Sequence, residues 1–174
     1  MVSILYLCGC EWLVIIDYLF VLITVYAIAE EGKLWAQLQL GIKYLQGLDG
    51  FDKNVAEGVR YIRMAAEGGY VEAKYCLGTV YHDGEGVSQD YNIALDWLRQ
   101  AADEGNAFAQ YRMGGMYYHG EGVDKDYKEA LTWYKKAADQ GYNEAQFALG
   151  KDVKMFMILC TTCSHMLFVI RITL

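Results

Sequence analysis

Proline is missing from all 174 residues, and the largest basic cluster is the adjacent pair Lys135 and Lys136. A chain without proline has no stiff proline-rich linker, and its many glycines suit helices that end at glycine. Lacking a concentrated positive footprint, and carrying 22 acids against 15 Lys plus Arg for a net charge of -7, the protein is not built to neutralise phosphates. Nucleic acid is therefore excluded as a partner, and recognition of anionic lipid is disfavoured. Cysteine is sparse and uneven: Cys8, Cys10, Cys160 and Cys163 lie near the ends, and Cys76 stands alone in the middle. That is below the density of a disulfide scaffold, and an odd count leaves one thiol unpaired within a chain. No G-x-x-x-x-G-K-Ser/Thr phosphate loop and no dinucleotide fingerprint occur, and no Ser-His-Asp arrangement can be assembled from nearby motifs.

Glycine and apolar residues are plentiful. The 18 glycines, with 55% apolar and 14% aromatic content, exclude a disordered polar chain. Laid against itself, the centre of the chain repeats. Ala36, Ala73, Ala109 and Ala145 recur at steps of 37, 36 and 36. Five residues after each comes Gly41, Gly78, Gly114 or Gly150, and four before each comes Gly32, Gly69, Gly105 or Gly141.

Within each unit, apolar positions step by three and four, as on one face of a helix. EAKYCLGTVYHDG and FAQYRMGGMYYHG read as a first helix; YNIALDWLRQAADEG and YKEALTWYKKAADQG read as a second. Neither is long enough to persist alone in water, so stacked antiparallel hairpins are the expected solution, giving an all-α fold. Gly78 and Gly114 sit inside first helices at a cost of about 1 kcal/mol relative to Ala, and they are expected to mark close helix packing. Tyr61, Trp97 and Trp133 are expected to fill one niche in successive second helices. Between the helices, YHDGEGVSQDY (81–91) is answered by YYHGEGVDKDY (117–127). Gly84 and Gly86, with Gly120 and Gly122, are expected to make the turn, and Asp90 and Asp126 to cap the helix that follows. Asp83, Glu85 and Asp90 lack the twelve-position oxygen spacing of a calcium loop.

The pattern of G-x-G-V, downstream Asp-Tyr, A-x-x-W and A-A-x-x-G resembles the Sel1-like repeat family, a branch of the tetratricopeptide-like solenoids. The resemblance runs from about Gly32 to Gly150 and is complete in two units, Ala73 to Gly105 and Ala109 to Gly141. The unit from Ala36 to Gly69 departs from it, with LDGFDKN in its loop, one extra residue, and Gly58 where Ala94 and Ala130 stand. The fourth unit keeps only its first helix before Lys151. The resemblance implies a right-handed α/α solenoid serving as a non-catalytic scaffold for proteins or peptides, with no cofactor or metal.

Three segments are expected: 1–29 hydrophobic, 30–150 the repeat domain, and 151–174 an atypical hydrophobic end. Trp12 to Ala29 is apolar except for Asp17 and Thr24. It reads either as a membrane or targeting segment, with membrane association as its consequence, or as a buried helix capping the repeats; the chain is accordingly cytoplasmic or membrane-associated. Cys160, Cys163 and His165 lack the fourth ligand that a zinc site requires. Gln37, Lys74, Gln110, Tyr111, Arg112 and Gln146, at variable positions of the first helices, are the candidates to face a partner. An acidic array fits a protein or peptide rich in basic and apolar side chains. The alternative is a membrane-linked assembly protein without a ligand of its own.

Overall fold

The computed structural model describes residues 24–48 and 51–150. Six helices of 13 residues each are complete: α1 (Leu34–Gln46), α2 (Val55–Glu67), α3 (Val71–Asp83), α4 (Tyr91–Asp103), α5 (Ala107–His119) and α6 (Tyr127–Asp139). Residues 24–30 and 143–150 are also helical, and the described residues contain no strand. The fold is all-α, of the class in which helix hairpins stack as a solenoid. The chain divides into two compact units, Met1–Asp90 and Tyr91–Leu174.

In the first unit α1 packs on α2 and α2 on α3; in the second, α4 packs on α5 and α5 on α6. The repeated alanines are the innermost points: Ala36, Ala73, Ala109 and Ala145 are all 0% exposed. Gly41, Gly78 and Gly114 are buried beside them on α1, α3 and α5. A Cβ on Gly114 would lie 2.6 Å from the Tyr134 ring, and one on Gly41 would lie 2.6 Å from Ile62 Cγ1. These glycines therefore set the approach of two helices. Gly150 differs from its counterparts: it is exposed, and a Cβ there would meet nothing within 4 Å. Tyr61 and Trp133 are buried, whereas Trp97 is half-buried, so their shared niche is filled to different depths.

The turns repeat as closely as the helices. α1, α3 and α5 each end at a left-handed glycine, Gly47, Gly84 and Gly120, whose N–H donates to Lys43, Val80 and Met116 carbonyls respectively. A residue with a Cβ is disfavoured in that conformation, which is why glycine returns there. The chain then bridges back: Asn54, Asp90 and Asp126 donate their N–H to the carbonyls of Tyr44, Tyr81 and Tyr117 at 2.9–3.0 Å. Asn54 and Asp126 also cap the helices they precede, Asn54 accepting from Glu57 N–H and Asp126 from Lys128 and Glu129 N–H.

At the other end of each hairpin, the N–H groups of Gly69, Gly105 and Gly141 donate to Ala66, Ala102 and Ala138, and those of Tyr70, Asn106 and Tyr142 to Ala65, Ala101 and Ala137. Gly32 and Lys33 make the same two bonds to Ala29 and Ile28. The helix over residues 24–30 thus ends like α2, α4 and α6. Ala29 is fully buried in a cluster with Ala36, Leu40 and Tyr61, against which Ile28 also packs. This helix crosses the position between residues 29 and 30 at which hydropathy set a boundary. Ile28 and Ala29 supply core, so hydropathy does not separate them from the repeats.

Residues 12–23 of the apolar stretch, and all of 151–174 with Cys160, Cys163 and His165, lie outside the described residues. No described helix is long and apolar enough to cross a membrane.

Candidate functional site

The glutamines expected to face a partner are joints between helices. Gln37 is 4% exposed and Gln110 is 6% exposed, which removes both from any binding face. Gln37 Nε2 donates to the Ala29 carbonyl (3.2 Å), Gln110 Nε2 to Ala102 (3.0 Å) and Gln146 Nε2 to Ala138 (3.3 Å). Each acceptor lies eight residues back, in the last turn of the preceding helix, where carbonyls have no intrahelical partner. An amide supplies a donor there and an acceptor beside it. Gln110 Oε1 takes a second bond, from Gln140 Nε2 (2.7 Å). Gln37 Oε1 is buried without one, because Gly68 stands where Gln140 does in the repeat register. Gln146 is exposed although it makes the same joint, and Lys74 is half-buried on α3.

A second joint also repeats. Arg63 donates to the Tyr81 hydroxyl (2.5 Å) and Arg99 to the Tyr117 hydroxyl (3.1 Å), each spanning 18 residues. These bonds tie α2 to α3 in the first unit and α4 to α5 in the second. The tyrosines near the loops are therefore held by arginine.

Tyr44, Arg60, Tyr61 and Cys76 all have raised pKa values, the shifts being large at Tyr61 and Cys76, and none of them forms a reactive centre. The Tyr61 hydroxyl donates to Glu30 Oε1 at 2.6 Å; burial first, and that hydrogen bond second, push its pKa well above the usual tyrosine range. Burial, followed by the charge of Glu72, pushes the Cys76 thiol up to about 11, so the thiolate needed for nucleophilic chemistry is scarce at neutral pH. His82 Nδ1 lies 2.7 Å from the carboxylate of its neighbour Asp83. Among the described residues no group of three or more His, Cys, Asp or Glu comes together as a metal site.

What remains for recognition is an aromatic face in the second unit. Its base is Gly114: the missing side chain lets the Tyr134 ring lie against α5. Tyr134 contacts Tyr111 at 5.4 Å between ring centroids, Tyr111 meets Tyr142 edge-on at 5.2 Å, and Tyr142 meets Phe108 edge-on at 5.0 Å. These are favourable offset and edge-to-face geometries. Exposure rises along the chain of rings, from buried Tyr134 (7%) to Phe108 (50%). Arg112 follows Tyr111 on α5 and is half-buried. Phe108, Tyr111 and Arg112 stand at i, i+3 and i+4, so a helix carries them on one side. Of the six residues singled out from sequence, Tyr111 and Arg112 lie on this face. Phe108 and Tyr142 were not singled out there; Phe108 directly precedes Ala109 and Tyr142 stands three residues before Ala145, and neither recurs at its register position in the unit before.

A family model described as the Sel1 repeat matches residues 36–70, 71–106 and 107–142. Among solved structures, a Sel1 repeat protein from Oxalobacter formigenes is 41% identical with a TM-score of 0.68, covering 75% of this chain and 97% of its own. A protective antigen of uropathogenic Escherichia coli with an SLR fold is 36% identical with a TM-score of 0.70; the match covers 73% of this chain but 27% of that one. Cysteine rich protein B of Helicobacter pylori, at 22% identity and a TM-score of 0.59, covers 76% of this chain and 95% of its own, and shares the fold. No curated protein sequence matches.

Proposed function

Because this chain belongs to the Sel1 repeat family, and is a non-catalytic helical-repeat scaffold, we propose that its working surface is the aromatic face of the second unit, which holds a peptide or protein segment rich in apolar and basic side chains. The observation that carries this reading is the run of rings from buried Tyr134 to half-exposed Phe108. Large rings lose little conformational entropy on binding and offer apolar area with polar tips, which is why such residues concentrate binding energy at interfaces. Their faces also attract ammonium and guanidinium groups. The net charge of -7 steers a basic segment toward the molecule, while Arg112 supplies donors for the segment's backbone carbonyls.

The test is a peptide array that contrasts apolar-basic with apolar-acidic sequences, probed with the full chain and with a Phe108→Ala, Arg112→Ala double variant. Phe108 is preferred to Tyr111 because Tyr111 also contacts the buried Tyr134 ring. Retention of apolar-basic peptides, lost in the double variant while helical circular dichroism is unchanged, supports the reading. Equal retention by the variant, or a preference for acidic peptides, refutes it.

A further inference from the structure

The outer side of α2 carries a row of groups that the repeat pattern does not require. Glu57, Arg60 and Met64 stand at i, i+3 and i+7, so the helix sets them on one side. Arg60 is engaged on three sides. Its Nε and Nη2 each lie 2.9 Å from Glu57 Oε2, its Nη1 donates to the Met64 sulfur at 3.3 Å, and its Cζ stands 4.2 Å above the Tyr61 ring. Neither the arginine nor the methionine returns in the later second helices, where Asp96 and Thr132 follow Arg60, and Gln100 and Lys136 follow Met64.

Met64 is also unlike the other methionines among the described residues. It is 39% exposed, whereas Met113 and Met116 are 0% and 1% exposed in the second unit. Oxidation of a thioether needs contact between sulfur and oxidant, so exposure ranks Met64 ahead of both. A sulfoxide formed in a core would set a polar oxygen among apolar groups and disrupt the packing. At Met64 that cost is absent, because the site is open to water and the new oxygen is bonded to the sulfur that Arg60 already reaches. A thioether is a weak acceptor. A sulfoxide oxygen accepting from a guanidinium makes a charge-assisted bond, roughly twice as strong as a neutral one.

We propose that Met64 is a reversible oxidation site for hydrogen peroxide or an organic hydroperoxide, with Arg60 holding the sulfoxide oxygen. A lone pair of Sδ attacks the hydroxyl oxygen of the peroxide, the O–O bond breaks and an S–O bond forms. Sulfur gives up two electrons; the departing oxygen takes the proton of the transferred hydroxyl and leaves as water or an alcohol. A small torsional change in two exposed side chains moves the Nη1 donor from sulfur to oxygen. In the reverse direction a dithiol supplies two electrons and becomes a disulfide, the oxygen leaves as water and the thioether returns, as methionine sulfoxide reductases bring about. The first unit thus takes up oxidant at its surface and keeps its fold.

The test uses the full chain, Met64→Leu, Arg60→Ala and the double variant, each melted before and after brief treatment with hydrogen peroxide, with sulfoxides located by peptide mass mapping. Met64 is expected to oxidise at least about tenfold faster than Met113 and Met116, whose sulfurs meet oxidant only on local opening. Subtracting the Tm shift of Met64→Leu from that of the parent isolates oxidation at position 64. The difference should be near zero or positive with Arg60 present, and a fall of about 3 °C in the Arg60→Ala background. Methionine sulfoxide reductases of both epimer specificities should return Met64 to its original mass. Oxidation of Met113 or Met116 as fast as Met64, the same position-64 shift with and without Arg60, or a sulfoxide that the reductases leave in place overturns the proposal.

Discussion

Gly41 and Gly58 face each other where α1 crosses α2: a Cβ on Gly41 would lie 2.9 Å from the Gly58 carbonyl oxygen, and one on Gly58 would lie 2.8 Å from that of Gly41. The two backbones meet without side chains between them. In later repeats the partner position is Ala94 or Ala130, so the first hairpin has a pair of glycines where the others have a glycine and an alanine. Gly58, a departure from the pattern in sequence, is in the structure a point where the backbones of α1 and α2 meet directly.

Adjacent glycines on α5 should respond in opposite directions. At Gly114 an added methyl group meets the Tyr134 ring at 2.6 Å, whereas at Gly115 the nearest atom is the Tyr134 hydroxyl oxygen at 3.8 Å. Gly114→Ala is expected to lower stability by about 1–3 kcal/mol through overpacking. Gly115→Ala is expected to raise it by up to about 1 kcal/mol through helix propensity. Urea denaturation of the two variants beside the parent checks both signs.

The two buried glutamines should not be equivalent. Gln110→Leu breaks bonds to the Ala102 carbonyl and to Gln140; the exposed Gln140 amide turns to water, but the buried carbonyl is left unsatisfied, at a cost of about 1–3 kcal/mol. Gln37→Leu breaks one bond but also removes the Oε1 atom that is already buried without a partner, so its cost is smaller. Thermal melts should rank the parent first, Gln37→Leu second and Gln110→Leu last. Peptide retention on the aromatic face should survive Gln37→Leu unchanged.

Trp133 carries a liability of the same kind. Its ring is 6% exposed and lies beneath Lys136 Nζ at 3.7 Å from the centroid, while its Nε1–H is buried with no acceptor. Trp133→Phe gives up part of the buried area and removes the orphan donor, so the net change should stay within about 1 kcal/mol. Trp133→Ala, which only empties the niche, should cost about 3–5 kcal/mol. Denaturant midpoints of the pair separate the two contributions.

Alkaline pH should unfold the first unit through Tyr61. Its folded pKa is raised by burial and by the bond to Glu30, so the unfolded state loses this proton first as pH increases. The stabilisation is therefore complete below the ordinary tyrosine value near 10 and is lost above it. Stability measured between pH 8 and 11 should decline at the upper end. In Tyr61→Phe that decline should be shallower, and equal slopes in both proteins would discount the assignment.

The repeat period, the helix types, the capping role of Asp126 and the packing role of Gly114 were legible in sequence because each follows from a local rule or from spacing. The roles of Gln37 and Gln110 were not. A polar residue on a helix reads as surface until the carbonyl it reaches, eight residues away across a turn, is placed in space. The helix over 24–30 was obscured for the opposite reason: Ile28 and Ala29 are as apolar as a membrane segment, and only the bonds at Gly32 and Gln37 identify them as the end of a repeat helix. Of the proposed face, Tyr111 and Arg112 could be named from register, whereas Phe108 and Tyr142 required the ring contacts.

Both recurring joints, glutamine to carbonyl and arginine to tyrosine, run between a second helix and the first helix that follows; Arg63 and Arg99 are one period of 36 residues apart, as are Gln110 and Gln146, while Gln37 and Gln110 are two periods apart with Lys74 between them. Unequal recombination that adds or deletes one whole period therefore hands each junction to residues of the same register, whether or not the cut falls in a loop. An insertion of any other length leaves the donors opposite the wrong turn. Gain or loss of a whole repeat therefore keeps the joints in register, whereas an insertion of intermediate size takes them out of it.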